Sequence, residues 1–205
     1  MFLDELRNRL NHNPPLFIGE ETAFRSAVVI PLVEIDEKWH VLFQVRAFSM
    51  RKQPGDISFP GGKIDESDTS PLAAALRETH EELGVEVDNI TVLSTLSPYI
   101  ASPSFVVYPF VVKIDDPDVL TAYNRDEVDE VFTIPLDWLL SCEPYMHLVV
   151  AKPSPAADFP YDKIMNGANY KFGVRTIEEW FYEYEQYTVW GLTARILKHF
   201  LERLK

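Results

Sequence analysis

The chain has 205 residues, 46% of them apolar, and its 32 acidic against 19 basic side chains give a formal net charge of −13. That length is enough to bury a core as one domain, and the charge excludes binding to nucleic acid or an anionic membrane through a broadly basic surface, which needs Lys and Arg to neutralise phosphates. The lone cysteine, Cys142, has no intramolecular disulfide partner, and the N-terminal residues lack the apolar run of a signal or membrane segment, so a cytoplasmic location is expected.

Residues 2–11 put Phe2, Leu3, Leu6 and Leu10 on one side of a helix expected to dock on the body of the protein, with Pro14 and Pro15 ending it. "SAVVIPLVEI" and "WHVLFQVRA" are β-branched and apolar runs separated by Asp36-Glu37-Lys38, the pattern of a hairpin. Two more strand-like runs, "NITVLSTLSPYI" and "FVVYPFVVKI", flank a loop containing Pro98 and Pro103, and Pro109 favours an edge or a bulge. "EVFTIPLDWLL" predicts a strand entering a short helix, and "YMHLVVA" another strand. Residues 152–173 are loop-dominated, with "NYKF" able to pair as a strand. "EWFYEYEQY" predicts a strand, and Leu192, Ile196 and Phe200 mark a closing helix over about 188–204. Nothing divides the chain, so residues 1–205 are expected to form a single α+β domain.

The chemistry concentrates between residues 59 and 85. Ser70 followed by Pro71 starts a helix and Gly84 stops it, giving Pro71 to Leu83. Leu72, Leu76, Thr79 and Leu83 form a stripe for the core; Glu78, Glu81 and Glu82, at i, i+3 and i+4, form another. One turn earlier, Ala74 and Ala75 leave a face of little bulk that a ligand could approach. Like charges at this spacing repel by a few tenths of a kcal/mol per pair, and they sit at the helix end where the macrodipole opposes them. A bound cation offsets both costs, and clustered carboxylates suit Mg2+ or Mn2+. The plainer alternative is a solvated face with Arg77 paired to Glu81. Gly61 and Gly62, after Phe59-Pro60, permit close backbone approach and could add a carbonyl or amide to the same site.

On Arg77, Glu78, Glu81, Glu82, Gly84 and Val85 the sequence resembles the Nudix hydrolases, whose box runs Gly, five residues, Glu, seven residues, then Arg-Glu-aliphatic-any-Glu-Glu-any-Gly-aliphatic. Thr79 departs from the first aliphatic position. Counting back from Arg77 puts the usual Glu on Thr69 and the usual Gly on Lys63; one extra residue restores Gly62 to Asp68 as the first segment. That expansion, preceded by Arg46, Ala47, Arg51, Gly55 and Phe59-Pro60-Gly61-Gly62, resembles the coenzyme A pyrophosphatase branch. Trp190, Gly191 and Thr193 of "WGLTARIL" do so too, whereas "LFQV" departs from that branch's two leucines and threonine.

The resemblance implies a Nudix-type α/β/α sandwich with a mixed central sheet. It also implies hydrolysis, under Mg2+ or Mn2+, of coenzyme A or acyl-coenzyme A to 3',5'-ADP and (acyl-)4'-phosphopantetheine. The alternatives are another nucleoside diphosphate derivative such as ADP-ribose or a dinucleotide, and a non-catalytic nucleotide-sensing module. Implied metal ligands are Glu78, Glu81, Glu82 and Gly62, with Glu78 and Glu82 the chief pair, Glu81 direct or through water, and Arg77 orienting a ligating Glu. Glu127 is the chosen general base, with Glu130, Glu66 and Asp68 as rivals. Arg46 and Arg51 are assigned to substrate phosphate, while Lys52 and Lys63 are assigned to the surface. Phe105, Tyr108, Phe110 and Trp190 either shape a pocket or pack, and packing is the default. The expected partner is a small nucleoside diphosphate, with no nucleic acid and no membrane; the oligomeric state is open, a homodimer being one form considered.

Overall fold

The computed structural model describes residues 2–10, 17–116 and 118–205. In chain order the elements are α1 (Phe2–Leu10), β1 (Phe24–Ile35), β2 (Lys38–Arg46), β3 (Ile57–Ser58), β4 (Gly61–Lys63), α2 (Pro71–Leu83), β5 (Ile90–Thr95), β6 (Tyr99–Ser102), β7 (Phe105–Ile114), β8 (Val128–Pro135), α3 (Leu136–Ser141), β9 (Tyr145–Ala151), β10 (Arg175–Tyr184), β11 (Tyr187–Trp190) and α4 (Gly191–Leu204). An eight-stranded sheet runs β3-β2-β1-β7-β5, with β4 also on β1, β6 on β7 and β8 on β2. It is mixed: β1 and β7 are parallel from Phe24↔Phe105 to Leu32↔Lys113, and the other pairs are antiparallel. A separate antiparallel sheet has the order β11-β10-β9.

β1 is apolar almost throughout because both of its faces are covered, as expected for a central strand with a parallel neighbour. Ala27, Val29 and Val33 join Ala74, Ala75 and Leu83 of α2 in one core. Ile30 joins Phe43, Phe132, Leu197 and Phe200 in the other, which α4, β10 and β11 cover. The sheet therefore lies between α2 on one side and α4 with the small sheet on the other, the expected sandwich. Each large side chain that is fully buried, such as Ile30 or Phe43, contributes roughly 1.5–3 kcal/mol.

The β1–β2 hairpin closes in two residues, with Ile35 opposite Lys38 and both Asp36 (φ 48°) and Glu37 (φ 61°) in the left-handed region. That turn matches the twist of its strands. Pro109 is not at an edge: it lies opposite Val28 within central β7. Its carbonyl accepts from Leu96 N at 3.0 Å, so its nitrogen faces the same side. There the neighbour of β7 changes from β6, ending at Val107, to β5, starting at Phe110, and no donor is needed.

Three further expectations are corrected. "NYKF" forms no strand; a short 3-10 turn, Gly167–Asn169, ends within it. The closing helix starts at Gly191 and not near 188, because Tyr187–Trp190 pair with β10. The N-terminal helix forms over Phe2–Leu10, but Leu3 and Leu6 of its apolar side are exposed; residue 11, Pro14 and Pro15 lie outside the described residues. No helix among the described residues is long and apolar enough to cross a membrane.

Candidate active site

α2 has the bounds its caps predict. Ser70 accepts from Ala73 N at 3.1 Å, Pro71 occupies the first turn, and Gly84 closes the helix at φ 70° with its N–H on His80 O. Ala74 and Ala75 are fully buried against the sheet, so their small size serves helix–sheet approach and provides no ligand face, contrary to the expectation from sequence. This close seating turns the acidic stripe partly inward. Glu82 is 4% exposed, Glu78 is half-buried and Glu81 is exposed.

Glu82 is held at the sheet. Its Oε2 accepts from Gly61 N at 2.9 Å. Burial pushes its carboxyl up to about 7, opposed by the Gly61 amide, by the Gln44 amide facing it and by the more distant Arg46 charge. Gln44, central in β2 and wholly buried, presents its side-chain nitrogen and oxygen outside strict hydrogen-bond geometry. Glu78 lies against Gly62: a Cβ there would meet its carboxylate at 2.4–2.6 Å. Burial raises the Glu78 pKa, Arg77 opposes the rise, and the charges of Glu81 and Glu127 add to it.

Arg77 fixes the outer side of this pair. It donates to Asp68 through Nε and Nη2 at 3.0 Å each, to Lys63 O at 3.1 Å, to Glu78 Oε1 at 3.0 Å and to Glu81 Oε2 at 3.1 Å. The paired guanidinium holds the Asp68 carboxyl below its ordinary range, and Asp68 in turn holds Arg77 protonated. The extra residue between Gly62 and Arg77 is thus absorbed in a loop whose last acid becomes the partner of Arg77. Such a clamped carboxylate is poorly suited to accept a proton.

The glycine pair is pinned from below. Gly61 (φ 141°) pairs with Val28, and a Cβ on it would meet Ala27 O at 2.2 Å. The Gly62 carbonyl accepts from Ser26 Oγ at 2.7 Å, and Gly62 pairs with Ala27 in the ladder. Among the described residues, no three acid, histidine or cysteine side chains form a complete metal cage. What converges is two carboxylates, one backbone carbonyl and a cradle that any side chain at position 62 would fill. This donor set fits a hard divalent cation that keeps water and phosphate oxygens in its shell.

On the other side of Gly61 and Gly62 opens a cleft of about 470 Å³, also lined by Arg46, Lys52, Ser58, Phe105 and Trp190. Arg46 follows a register shift between β2 and β8 at Val45/Arg46, a bulge that re-aims its side chain. Its Nε is buried without a partner. Arg51 is exposed and off the lining, whereas Lys52, given a surface role from sequence, is on it. Glu127, half-buried just before β8, is near enough for its charge to be felt at Glu78. Glu130 turns to the opposite face with Phe132 and accepts from Tyr187 OH at 2.6 Å, and Glu66 is exposed in the loop before α2. Phe110 is core, and Tyr108 donates to Glu20 at 2.8 Å. His80 is exposed, as expected. A smaller cavity of about 280 Å³ beside α4 is lined by none of the box residues; there Lys198 pairs with Glu202 and Arg195 donates to Glu178 O.

Ser26 and Gln44 were missed by sequence reasoning, whereas Lys52 was considered there and assigned to the surface. Gln44 had left a trace, since it stands where "LFQV" departs from the branch pattern. Ser26 left none, because a serine opening a strand is ordinary.

Comparison with known proteins agrees with this geometry. Residues 23–153 match the model of the NUDIX domain. The chain is 34% identical over 197 residues to a protein of Escherichia coli O7:K1 named "Uncharacterized Nudix hydrolase NudL", covering 96% of this chain and 91% of that one. Its counterpart from Enterobacter sp. is 34% identical over 174 residues, covering 85% and 79%. A MutT/nudix family protein from Enterococcus faecalis shares the fold, with a TM-score of 0.50 at 16% identity over 100% of this chain and 70% of that structure. With the domain match spanning most of the chain and these relatives aligning along nearly all of it, this protein belongs to the Nudix hydrolases, enzymes of nucleoside diphosphate derivatives that generally use divalent metal ions.

Proposed function

We propose that this enzyme hydrolyses the pyrophosphate of coenzyme A or acyl-coenzyme A, giving 3',5'-ADP and (acyl-)4'-phosphopantetheine. The observation that carries the reading is the expanded box. The additional residue between Gly62 and Arg77 is accommodated by Asp68 clamping Arg77, and it occurs together with the upstream Arg46, Arg51 and Phe59-Pro60-Gly61-Gly62.

Glu78 and Glu82, with the Gly62 carbonyl, would hold Mg2+ or Mn2+, Glu81 contributing directly or through water. When bound, the ion would supply charge neutralisation for the phosphates and would acidify bound water. Arg77 keeps Glu78 and Glu81 oriented while Asp68 keeps Arg77 in place. Arg46 and Lys52 bring positive charge to a cleft in an otherwise acidic protein. Glu127 takes the proton of the attacking water. The oxygen of that water joins one phosphorus, and the bridging oxygen leaves with the other. One domain over residues 1–205 contains all of these groups.

Incubation with Mg2+ or Mn2+ and coenzyme A, followed by chromatography, should yield the two named products and none after chelation. Intact coenzyme A beside rapid cleavage of ADP-ribose or a dinucleotide rejects the substrate and keeps the chemistry. That second reading is favoured by Arg51 lying off the cleft. Comparing coenzyme A with its 3'-dephospho form separates the two, since a coenzyme A site responds to the missing charge.

A further inference from the structure

The cleft that the glycine pair lines also carries exposed aromatic rings. Trp190 is 47% exposed and Phe24 48% exposed, at the ends of strands that bury Val189 and Val29. Both line the cleft, as does Phe105, whose ring meets that of Phe24 edge-on at 5.5 Å and 60°. Trp190 is held in place. It stacks on Phe181 with centroids 6.1 Å apart and planes 7° apart. The residue after it, Gly191, turns the chain from β11 into α4 at φ 60°, with open space around its missing Cβ, so conformation and not crowding calls for glycine. Thr193 then donates to Ile57 O at 3.0 Å, tying this corner to β3 on the cleft floor. The "WGLT" run is therefore a device that presents one indole to the cleft.

We infer that Trp190, facing a cleft it shares with Phe24 and Phe105, is the stacking platform for the planar base of the nucleotide half of the substrate. This rests on the reading that the pyrophosphate lies at Gly61 and Gly62. Exposed rings suit a base because every base offers a π-face. Arg46 and Lys52 share this lining with the glycine pair, so phosphates attached to the base have cations within the same cleft. An apolar acyl chain has no comparable use for flat rings beside two cations. Phe105 keeps its packing role, lying against the core while also lining the cleft, and Phe110 is core; the binding role falls to Trp190.

Calorimetric binding of ADP and of inorganic pyrophosphate, each with Mg2+, to the full chain and to Trp190→Ala, Trp190→Phe and Phe24→Ala tests the assignment. Trp190→Ala should weaken ADP about tenfold or more and leave pyrophosphate unchanged, with Trp190→Phe recovering most of the loss. Steady-state kinetics should show the same change in KM with kcat retained. Equal losses for ADP and pyrophosphate would make Trp190 a structural residue and overturn the inference. Unchanged ADP affinity in Trp190→Ala, or ADP binding no tighter than pyrophosphate in the parent chain, overturns it too. Trp190-dependent ADP binding in a chain that cleaves no pyrophosphate substrate sinks the proposed reaction and leaves the base site standing.

Discussion

Replacing Glu82 by Gln separates the two consequences of burying a carboxylate. In the folded, metal-free chain burial moves this group from an ordinary 4.5 to about 7. Such a displacement corresponds to about 3 kcal/mol, as an order of magnitude. The folded state holds a proton that the unfolded state has released between those values, so stability falls as pH rises from 4.5 to 7 and is level above. Gln keeps the shape, and its carbonyl oxygen can still accept from Gly61 N, but it never ionises. Without metal, Glu82→Gln should therefore be the more stable protein at pH 8, by about 2 kcal/mol more than any difference at pH 5, a gap of several degrees in Tm for a chain of this size. Saturating Mg2+ should reverse the order by stabilising the parent, by about 2.7 kcal/mol at a hundredfold excess over Kd, with little effect on the variant. Turnover should be lost in the variant while folding is intact. Urea unfolding of both proteins at pH 5 and pH 8, with chelator and then with Mg2+, reads all of this. A stability difference that does not change with pH refutes the burial argument, and undiminished turnover refutes the ligand assignment.

The two adjacent glycines should fail in different ways. Gly62→Ala displaces only the far end of Glu78, so turnover should drop about a hundredfold with Tm nearly unchanged. Gly61→Ala drives a Cβ into the β1 backbone at a positive φ, and should cost roughly 2 kcal/mol or more in urea unfolding. Equal melting temperatures for the two would reject this division. Asp68→Asn loosens Arg77 and should reduce kcat about ten- to hundredfold; normal kcat would show that Arg77 needs no clamp. Because pairing lowers the Asp68 pKa, its contribution is present above the ordinary carboxyl range and lost as pH falls, so the same variant should narrow its stability gap to the parent in acid.

Local signals carried much of the fold. Ser70-Pro71 and Gly84 determined both ends of α2, since capping and left-handed backbone are decided within a few residues. β1 was visible as a strand in the apolar run "SAVVIPLVEI", and the acids of the box in their i, i+3, i+4 spacing. Pro109 was misplaced because one sequence cannot show where a strand changes neighbours. Ala74 and Ala75 were misread because small size serves a ligand and a packed sheet equally well.

The sequence by itself determined that Glu78, Glu81 and Glu82 share one helix face beside a glycine pair, because helical periodicity is local. Only the tertiary structure decided that these three acids differ. Glu82 sinks against Gly61 and Gln44, Glu78 fills the space that Gly62 leaves, and Glu81 stays at the surface with Arg77. Burial and charge compensation come from outside the helix, Gln44 from distant β2 and Asp68 from the loop just before α2. The same is true of Trp190, whose cleft is lined jointly by residues of β11, β1 and the glycine pair, and whose exposure no periodicity within "TVWGLT" could reveal.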